Sequence, residues 1–128
     1  MNWDPLVEAA LLARQRAHAP YSHFQVGAAL ATEDGRIFGG CNVENRSFGM
    51  TICAERTALV SSVAAAAGKP VAIAVVADAS PPARPCALCL GTLVELTEDL
   101  PILLFNLQGE RHETTLKTLL PDPFVWPR

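Results

Sequence analysis

Three cysteines and one glutamate form the clearest chemical pattern in this 128-residue sequence. Cys86 and Cys89 stand three positions apart in the run Pro-Cys-Ala-Leu-Cys, and Cys53 stands two positions before Glu55. Two thiols at that spacing project from adjacent parts of one helical turn, where they can bind a single Zn²⁺. Cys53 can supply a third ligand from the start of another helix, and the partial positive charge at both helix N-termini favours ionised thiolates. The pattern therefore predicts a zinc site with three sulfur ligands.

A site with three protein ligands is typical of a catalytic zinc. The fourth tetrahedral position stays open to water, which then becomes an available nucleophile. Glu55 lies on the same first helical turn as Cys53, so its carboxylate can take a proton from that water and pass it to a leaving nitrogen. Three thiolates around Zn²⁺ leave a net negative charge. Arg56 is the nearest candidate to offset this charge, through hydrogen bonds from its guanidinium to a sulfur.

Simpler explanations exist for these residues. Unpaired cysteines are commonly small core residues. A Cys-x-x-Cys pair can also be a redox dithiol, although that use leaves Cys53 and Glu55 without a role. Glu55 could serve only as a first-turn acid that complements a helix dipole. Cys41 has no ligand-like neighbours in the sequence, and we expect it to be inert.

Patterns typical of helices and strands alternate along the chain. Apolar residues at helical spacing are followed by short runs rich in β-branched and other apolar residues. Turn chemistry at Glu33-Asp34-Gly35-Arg36 joins the first two strand-like runs into a β-hairpin. Because no repeat, linker or low-complexity segment interrupts the alternation, we expect one α/β domain over residues 1–128. The predicted helices cover residues 4–18, 53–67, 86–98 and 114–119, and the predicted strands cover residues 24–32, 37–42, 71–77 and 102–105.

The composition argues against several classes of partner. A hydrophobic fraction of 50% is ample for one packed core. A net charge of −3 argues against a nucleic-acid partner, since binding to phosphate backbones depends on Lys and Arg. The sequence after Met1 lacks the pattern of an export signal, and no apolar run is long enough to cross a bilayer. We therefore expect a cytoplasmic protein with reduced cysteines and no membrane partner.

Five stretches of the chain resemble the cytidine deaminases, specifically the short-chain, homotetrameric type with three cysteine ligands. Zinc deaminases share His-x-Glu with Pro-Cys-x-x-Cys, and Cys53 stands here in place of the histidine, as in the short-chain type. The likeness runs nearly end to end. It is carried by Ala-Pro-Tyr-Ser-His-Phe-Gln-Val-Gly-Ala at 19–28, Gly-Cys-Asn-Val-Glu-Asn at 40–45, Thr-Ile-Cys-Ala-Glu-Arg at 51–56, Pro-Cys-Ala-Leu-Cys at 85–89 and Leu-Pro-Asp-Pro-Phe at 120–124.

This resemblance implies a three-layer α/β/α fold with a mixed five-stranded sheet, one Zn²⁺ per subunit and a homotetramer with sites at the subunit interfaces. It also implies hydrolysis of cytidine or deoxycytidine to uridine or deoxyuridine with release of ammonia, as in pyrimidine salvage. By the same resemblance, Cys53, Cys86 and Cys89 match the zinc ligands. Glu55 matches the proton shuttle that also holds N3 of the base.

Five further positions match contacts that the family makes with its nucleoside substrate. Asn42 and Glu44 match the pair that binds the sugar 3′-hydroxyl. Phe24 matches the aromatic that packs on the base, and Ala54 the residue whose backbone meets the pyrimidine edge. Phe124 matches an aromatic that reaches into a neighbouring subunit's site. Taken alone, Asn42 and Glu44 could serve turn formation, and the two phenylalanines could belong to the core.

The chain departs from the family pattern at two places. Relatives usually carry Arg-Gln directly after the second cysteine of the pair, whereas this chain has Leu90 and Gly91. We therefore expect Arg56 to bear more of the charge compensation. Phe48 stands where relatives often have Tyr, which removes a hydroxyl near the site and could alter substrate preference.

Three rival functions follow from the same residues. The substrate could be a modified cytidine or another aminopyrimidine nucleoside. Editing of bases in polynucleotides would need a cationic groove, which the acidic chain does not suggest. A non-catalytic, zinc-stabilised binding module would need a fourth protein ligand to close the metal site.

Overall fold

The chain folds around one mixed five-stranded sheet in the strand order β2-β1-β3-β4-β5. The structure, a computed structural model, describes residues 1–127. Strands β3 and β4 run parallel, and the other neighbouring pairs are antiparallel. The mixed sheet predicted from the family resemblance is confirmed. In chain order the elements are α1 (Asp4–Arg14), β1 (Val26–Thr32), β2 (Ile37–Cys41), a 3₁₀ turn (Phe48–Met50), α2 (Ala54–Ala64), β3 (Pro70–Ala77), α3 (Ala87–Leu96), β4 (Pro101–Phe105), β5 (Arg111–Thr115) and α4 (Leu116–Leu119).

Helices cover both faces of the sheet and bury two separate apolar clusters. On one face, side chains of α1 pack against alternate residues of the central strands, such as Ala74 and Leu103. On the other face, side chains of α2, α3 and α4 pack against the intervening residues, such as Ile73 and Leu104. A strand covered on both faces has no polar side to show, which explains the continuous apolar run of β3. The three-layer α/β/α arrangement is therefore also as predicted.

Two glycines allow helices to lie directly on the β-hairpin. A Cβ atom at Gly27 would lie 2.1 Å from the carbonyl oxygen of Ala10 in α1. At Gly40 in β2, a Cβ atom would lie 2.4 Å from the backbone of Ala54 and of Ala58 in α2. Because these neighbours are backbone atoms of a helix, they cannot move aside as a flexible side chain would. Gly40 thus sets the close approach of the helix that begins beside Cys53.

Apolar patterns in the sequence do not predict the fifth strand. Residues Arg111–Thr115 pair with β4 at the edge of the sheet, whereas the sequence pattern placed the start of the last helix at Thr114. Every residue of β5 is exposed or only half-buried, so the strand carries no apolar alternation that would reveal it. Helix α4 begins instead at Leu116, with the Thr115 side chain accepting a hydrogen bond from the Thr118 N–H.

All four helices are shorter than their sequence patterns predicted, and α1 and α2 show the largest differences. The helix predicted over 4–18 ends at Arg14, and the following residues turn so that the His18 N–H donates to the carbonyl of Asn42. The helix predicted over 53–67 ends at Ala64, two residues before Ala66 adopts a left-handed backbone conformation at φ 54°. Alanine has high helix propensity, so the sequence alone could not mark that end. Within residues 1–127 the helices are too short or too polar to span a membrane.

Candidate metal site and active site

The N-terminal ends of α2 and α3 bring three sulfur atoms together. Cys53 is the residue that precedes the first turn of α2, Cys86 holds the same position before α3, and Cys89 lies on the first turn of α3. Their Sγ atoms all lie within 4.8 Å of one another. The Sγ–Sγ distance is 3.9 Å between Cys53 and Cys86 and 3.6 Å between Cys86 and Cys89.

These distances fit a tetrahedral zinc site. Zinc–sulfur bonds of about 2.3 Å at tetrahedral angles place two sulfurs about 3.8 Å apart. A disulfide would require about 2.05 Å between the sulfurs, and all three cysteines are free thiols. Cys41, the remaining cysteine, stands at the end of β2 and does not belong to the cluster. The spacing in the sequence therefore corresponds in the structure to a group of donors that is positioned to hold one metal ion.

The environment of each sulfur differs. Burial opposes ionisation of Cys86, but hydrogen bonds from the Cys89 N–H, the neighbouring thiols and the Leu88 N–H hold its pKa below the ordinary value. Burial and the negative charges of Glu55 and Cys53 raise the pKa of the Cys89 thiol. A divalent cation among the sulfurs would offset the repulsion that raises the pKa of Cys89.

Glu55 lies on the first turn of α2 with its side chain buried and only 4% exposed. Burial raises the pKa of this carboxyl, and hydrogen bonding to its own N–H and the charge of Arg56 oppose the shift only in part. Glu55 lies close enough to Cys89 for its charge to contribute to the raised pKa of that thiol. A carboxyl in such a place can hold and release protons beside a metal ion held by the sulfurs.

Arg56 directs its guanidinium at the same cluster. Its Nη2 donates to the Cys53 Sγ at 3.7 Å and to the Thr51 carbonyl at 3.3 Å. The hydrogen bond to the Cys53 thiol, together with that to Cys89, raises the pKa of Arg56. Leu90, at the position where relatives usually carry a second arginine, is buried in the apolar cluster between the sheet and α2 and α3. Its side chain supplies no charge to the site.

A short backbone pairing places the segment 42–44 beside the first turn of α2. The Val43 N–H donates to the Ile52 carbonyl at 2.9 Å, and the Ile52 N–H donates back at 3.0 Å. Ile52 directly precedes Cys53, so this pairing brings Asn42 and Glu44 next to the residue that precedes the helix. The two predicted sugar-binding residues therefore flank the residue that pairs with Ile52, immediately before Cys53.

The Asn42 carboxamide is buried, and part of its hydrogen-bonding capacity is used within the chain. Its Oδ1 accepts from the Val26 N–H at 2.9 Å, and its Nδ2 donates to the Phe24 carbonyl at 2.8 Å. A carboxamide has two donor hydrogens and two acceptor lone pairs, so one of each stays available for a ligand. Asn42 thus serves the turn before β1 and can also contact a substrate hydroxyl.

The Glu44 carboxylate is held by a turn that the sequence analysis did not identify as part of the site. Its Oε1 accepts from the Tyr21 N–H at 3.0 Å and the Ser22 N–H at 3.2 Å, and its Oε2 accepts from the Ser22 hydroxyl. The hydrogen bond from the Ser22 side chain is the main cause that lowers the pKa of Glu44. The signal in the sequence was the turn-forming run Pro20-Tyr-Ser22, where a serine hydroxyl commonly bonds nearby groups.

The aromatic residues near Glu44 line an open pocket. The pocket has a volume of about 360 Å³ and is lined by Tyr21, Ser22, Glu44, Phe48 and Thr51. The ring of Phe48 meets that of Tyr21 edge to face, with 5.8 Å between the centroids, and is itself 72% exposed. Phe24, the predicted partner of the base, is partly exposed as well. Neither Phe24 nor Phe48 is part of the core.

Ala54 is buried, whereas Phe124 is exposed to solvent. Ala54 is the first residue of α2 and is fully buried. Phe124 is 82% exposed and lies in a groove with Val94 and Glu98, at the C-terminal end of α3. Cys86 and Cys89 stand at the N-terminal end of the same helix. The structure therefore does not bring Phe124 to the sulfur cluster of its own chain.

Comparisons with known proteins identify the family. Residues 1–103 match the family model described as the cytidine and deoxycytidylate deaminase zinc-binding region. The chain is 46% identical to the cytidine deaminase of Halalkalibacterium halodurans, over 98% of this chain and 96% of the relative. It is 44% identical to the cytidine deaminase of Sporosarcina psychrophila, over 97% and 92%.

Solved structures of cytidine deaminases are also similar to this chain. The crystal structure of cytidine deaminase from Burkholderia pseudomallei has a TM-score of 0.92 and 49% identity, covering 97% of this chain and all of that one. Cytidine deaminase from Mycobacterium tuberculosis has a TM-score of 0.83 and 36% identity, covering 98% and 99%. The resemblance seen in the sequence is confirmed: this chain belongs to the cytidine and deoxycytidylate deaminase family.

Proposed function

We propose that this chain hydrolyses cytidine and deoxycytidine to uridine and deoxyuridine and releases ammonia, as in pyrimidine salvage. The observation that carries the proposal is the cluster of three sulfurs with Glu55 buried on the adjoining helical turn. The names of the full-length relatives support it. Residues 1–128 are interpreted as one deaminase domain, which the single sheet supports, and the cytoplasmic location stays a prediction from the sequence.

The proposed metal ligands are Cys53, Cys86 and Cys89. Zinc held by these three thiolates would supply a Lewis acid that makes water available as a nucleophile near neutral pH. The proposed role of Arg56 is to withdraw charge from the Cys53 sulfur through its guanidinium, which limits the loss of Lewis acidity that thiolate ligands cause.

Glu55 is the proposed proton carrier. Addition of water at C4 of cytosine requires a proton at N3, and departure of the 4-amino group as ammonia requires a proton on that nitrogen. The buried carboxyl of Glu55 can receive the proton that the water loses and deliver it to N3. It can then take the proton of the new hydroxyl at C4, which becomes the carbonyl of the product, and pass that proton to the leaving nitrogen. Because the side chain is enclosed, it exchanges protons with the substrate in preference to bulk water.

The remaining proposed roles concern substrate binding. Asn42 and Glu44 would hold the sugar 3′-hydroxyl, which donates to the carboxylate and accepts from the carboxamide. Phe24 would pack on the base, and the backbone of Ala54 would meet the edge of the pyrimidine. The exposed ring of Phe48 lines the pocket beside Glu44 and favours one alternative, deamination of a modified cytidine or another aminopyrimidine nucleoside.

The proposed assembly is a homotetramer in which the site of one subunit is completed by another. The support is apolar exposure at the C-terminal segment, where Phe124, Val125 and Trp126 are each at least three-quarters exposed. Val60 and Val63 add two exposed side chains on α2. Large apolar side chains exposed together are typical of surfaces that other subunits cover. Phe124 would reach the site of the neighbouring subunit.

The central test combines metal analysis with a spectrophotometric cytidine assay. We expect about one zinc per chain and loss of the cytidine absorbance on addition of the enzyme. Cys53→Ser should lose most of the zinc and of the activity, because one of three ligands is missing. Cys41→Ser is the matched control and should keep both, since Cys41 lies outside the cluster. Full zinc occupancy without deamination of cytidine would contradict the proposed substrate, and a panel of modified cytidines would then test the alternative.

Glu55→Gln should keep the fold and the zinc but lower kcat by about 10²- to 10⁴-fold, because the amide is nearly isosteric and cannot carry protons. Zinc content and circular dichroism would establish that the site is otherwise intact. Glu8→Gln, on the exposed side of α1, is the control and should leave kcat unchanged. Near-normal turnover of Glu55→Gln would refute the assignment of the proton carrier.

Arg56→Gln should increase the rate of zinc loss to a chelator by about 10- to 100-fold, because the hydrogen bond to the Cys53 sulfur is removed and Leu90 supplies no second charge. The rate can be followed with a colorimetric zinc indicator. Arg111→Gln, on the exposed strand β5, is the matched control. Equal rates for Arg56→Gln and the unmodified chain would show that this guanidinium does not stabilise the metal site.

Sedimentation velocity should show a species of four chains. Phe124→Ala should lower kcat/KM for cytidine by about 10-fold or more, as expected when an aromatic contact is truncated. Mixing Phe124→Ala with Glu55→Gln and allowing subunits to exchange should restore part of the activity, since intact sites then form from both kinds of subunit. A fully active monomer would contradict the proposed assembly.

A further inference from the structure

The hydroxyl of Ser22 joins two residues to which the proposed function assigns substrate contacts. It donates to the Oε2 of Glu44 and accepts from the Phe24 N–H at 3.0 Å. A serine hydroxyl has one proton. Because the Phe24 N–H is itself a donor, the hydroxyl proton is free to point at the carboxylate, and both contacts form at once. Ser22 therefore touches a residue at the sugar end of the site and a residue at the base end.

The backbone of Phe24 is fixed on both sides of its side chain. Its N–H donates to the Ser22 hydroxyl, and its carbonyl accepts from the Asn42 Nδ2 at 2.8 Å. Glu44, Ser22, Phe24 and Asn42 thus form a continuous chain of hydrogen bonds. The Phe24 ring is not held by core packing, because it is partly exposed. Its orientation depends on the two backbone contacts.

Glu44 depends on the same turn. Within residues 1–127 the structure shows a salt bridge between Arg36 and Asp34, and Glu44 takes no part in it. Neutral donors orient the Glu44 carboxylate instead. Two backbone N–H groups, of Tyr21 and Ser22, hold the Oε1 atom. The Ser22 hydroxyl holds the Oε2 atom. Removal of that hydroxyl would leave the backbone donors in place and free the second oxygen to turn.

We propose that Ser22 is a positioning residue that sets the Glu44 carboxylate toward the substrate's sugar hydroxyl and fixes Phe24 against the base. The inference rests on the proposed function, because it takes cytidine as substrate and Glu44 as the sugar contact. It adds a residue that binds no substrate atom itself. Ser22 acts through Glu44 and Phe24, which links recognition of the sugar to recognition of the base.

The first test is Ser22→Ala. We expect KM for cytidine to rise about 10-fold, because a hydrogen bond to a charged group is lost, while kcat stays within about 2-fold of the unmodified enzyme. Zinc content should not change, since Ser22 is not one of the clustered sulfur residues, and the unfolding midpoint should change little, since Ser22 is exposed. Ser22→Thr keeps the hydroxyl and should restore most of the affinity. Ser61→Ala, which removes an exposed hydroxyl bonded only within α2, is the matched control.

A second substrate separates positioning from general loosening of the fold. In the unmodified enzyme, 3′-deoxycytidine should have a higher KM than cytidine, because Glu44 loses its partner. In Ser22→Ala the ratio of the two KM values should fall toward 1. Loosening of the fold would raise both KM values equally and leave the ratio unchanged. In a Glu44→Gln background, Ser22→Ala should leave the ratio of the two KM values unchanged, because Ser22 acts on the sugar through Glu44.

The outcomes distinguish the two proposals. An unmodified enzyme that deaminates neither nucleoside overturns the proposed function and this inference with it. An active unmodified enzyme overturns the inference alone if Ser22→Ala keeps the KM ratio of the unmodified enzyme, or if Ser22→Ala lowers that ratio further in the Glu44→Gln background. Loss of the ratio in Ser22→Ala, with recovery in Ser22→Thr, is the result expected from positioning.

Discussion

The convergence of two helix N-termini at one edge of the sheet is the constraint on which the rest of the structure depends. Strands β2 and β3 both run antiparallel to β1, so they are parallel to each other and end at the same edge. Helices α2 and α3 follow these strands and start from that edge on the same face of the sheet. The crevice beyond the carboxyl ends of parallel strands is the usual place for a site in an α/β fold. Here it contains three sulfurs, and Cys53 stands more than thirty positions before Cys86 and Cys89 in the sequence.

Assembly of this cluster carries an electrostatic cost that the fold offsets locally. Cys89 and Glu55 are buried next to one another, and both would be negatively charged when ionised. Burial raises the pKa of both groups, so without a cation the arrangement favours their protonated forms. The helix N-termini and the guanidinium of Arg56 supply positive charge in the same place. A divalent metal completes the balance, so metal binding and the stability of this region are linked.

The segment 42–44 lies between the sulfur cluster and the pocket beside Glu44. Its pairing with Ile52 depends on close approach of α2 to the hairpin, and that approach depends on the missing side chain at Gly40. The turn at Tyr21 and Ser22 then holds Glu44, while Asn42 holds the start of β1. The Glu44 side chain stabilises this turn and lines the pocket, and the Asn42 side chain stabilises the segment that leads into β1. The proposed function gives these residues a binding role beside the structural one, so either role alone would have explained their presence in the sequence.

The sequence by itself determined the sulfur ligands as a group, the position of Glu55 beside them, the alternation of strands and helices and the family. These features depend on local spacing and on contiguous motifs, which a linear pattern retains. The edge strand β5, the early end of α2 at Ala64 and the clamp of Ser22 on Glu44 were decided only by tertiary structure. An exposed edge strand has no apolar alternation, and an alanine-rich helix has no marked end. The run at Ser22 indicates a turn, but it does not indicate a partner 22 positions away. The separation of Phe124 from the sulfurs of its own chain likewise follows from the path of α3, which holds the two at opposite ends of one helix.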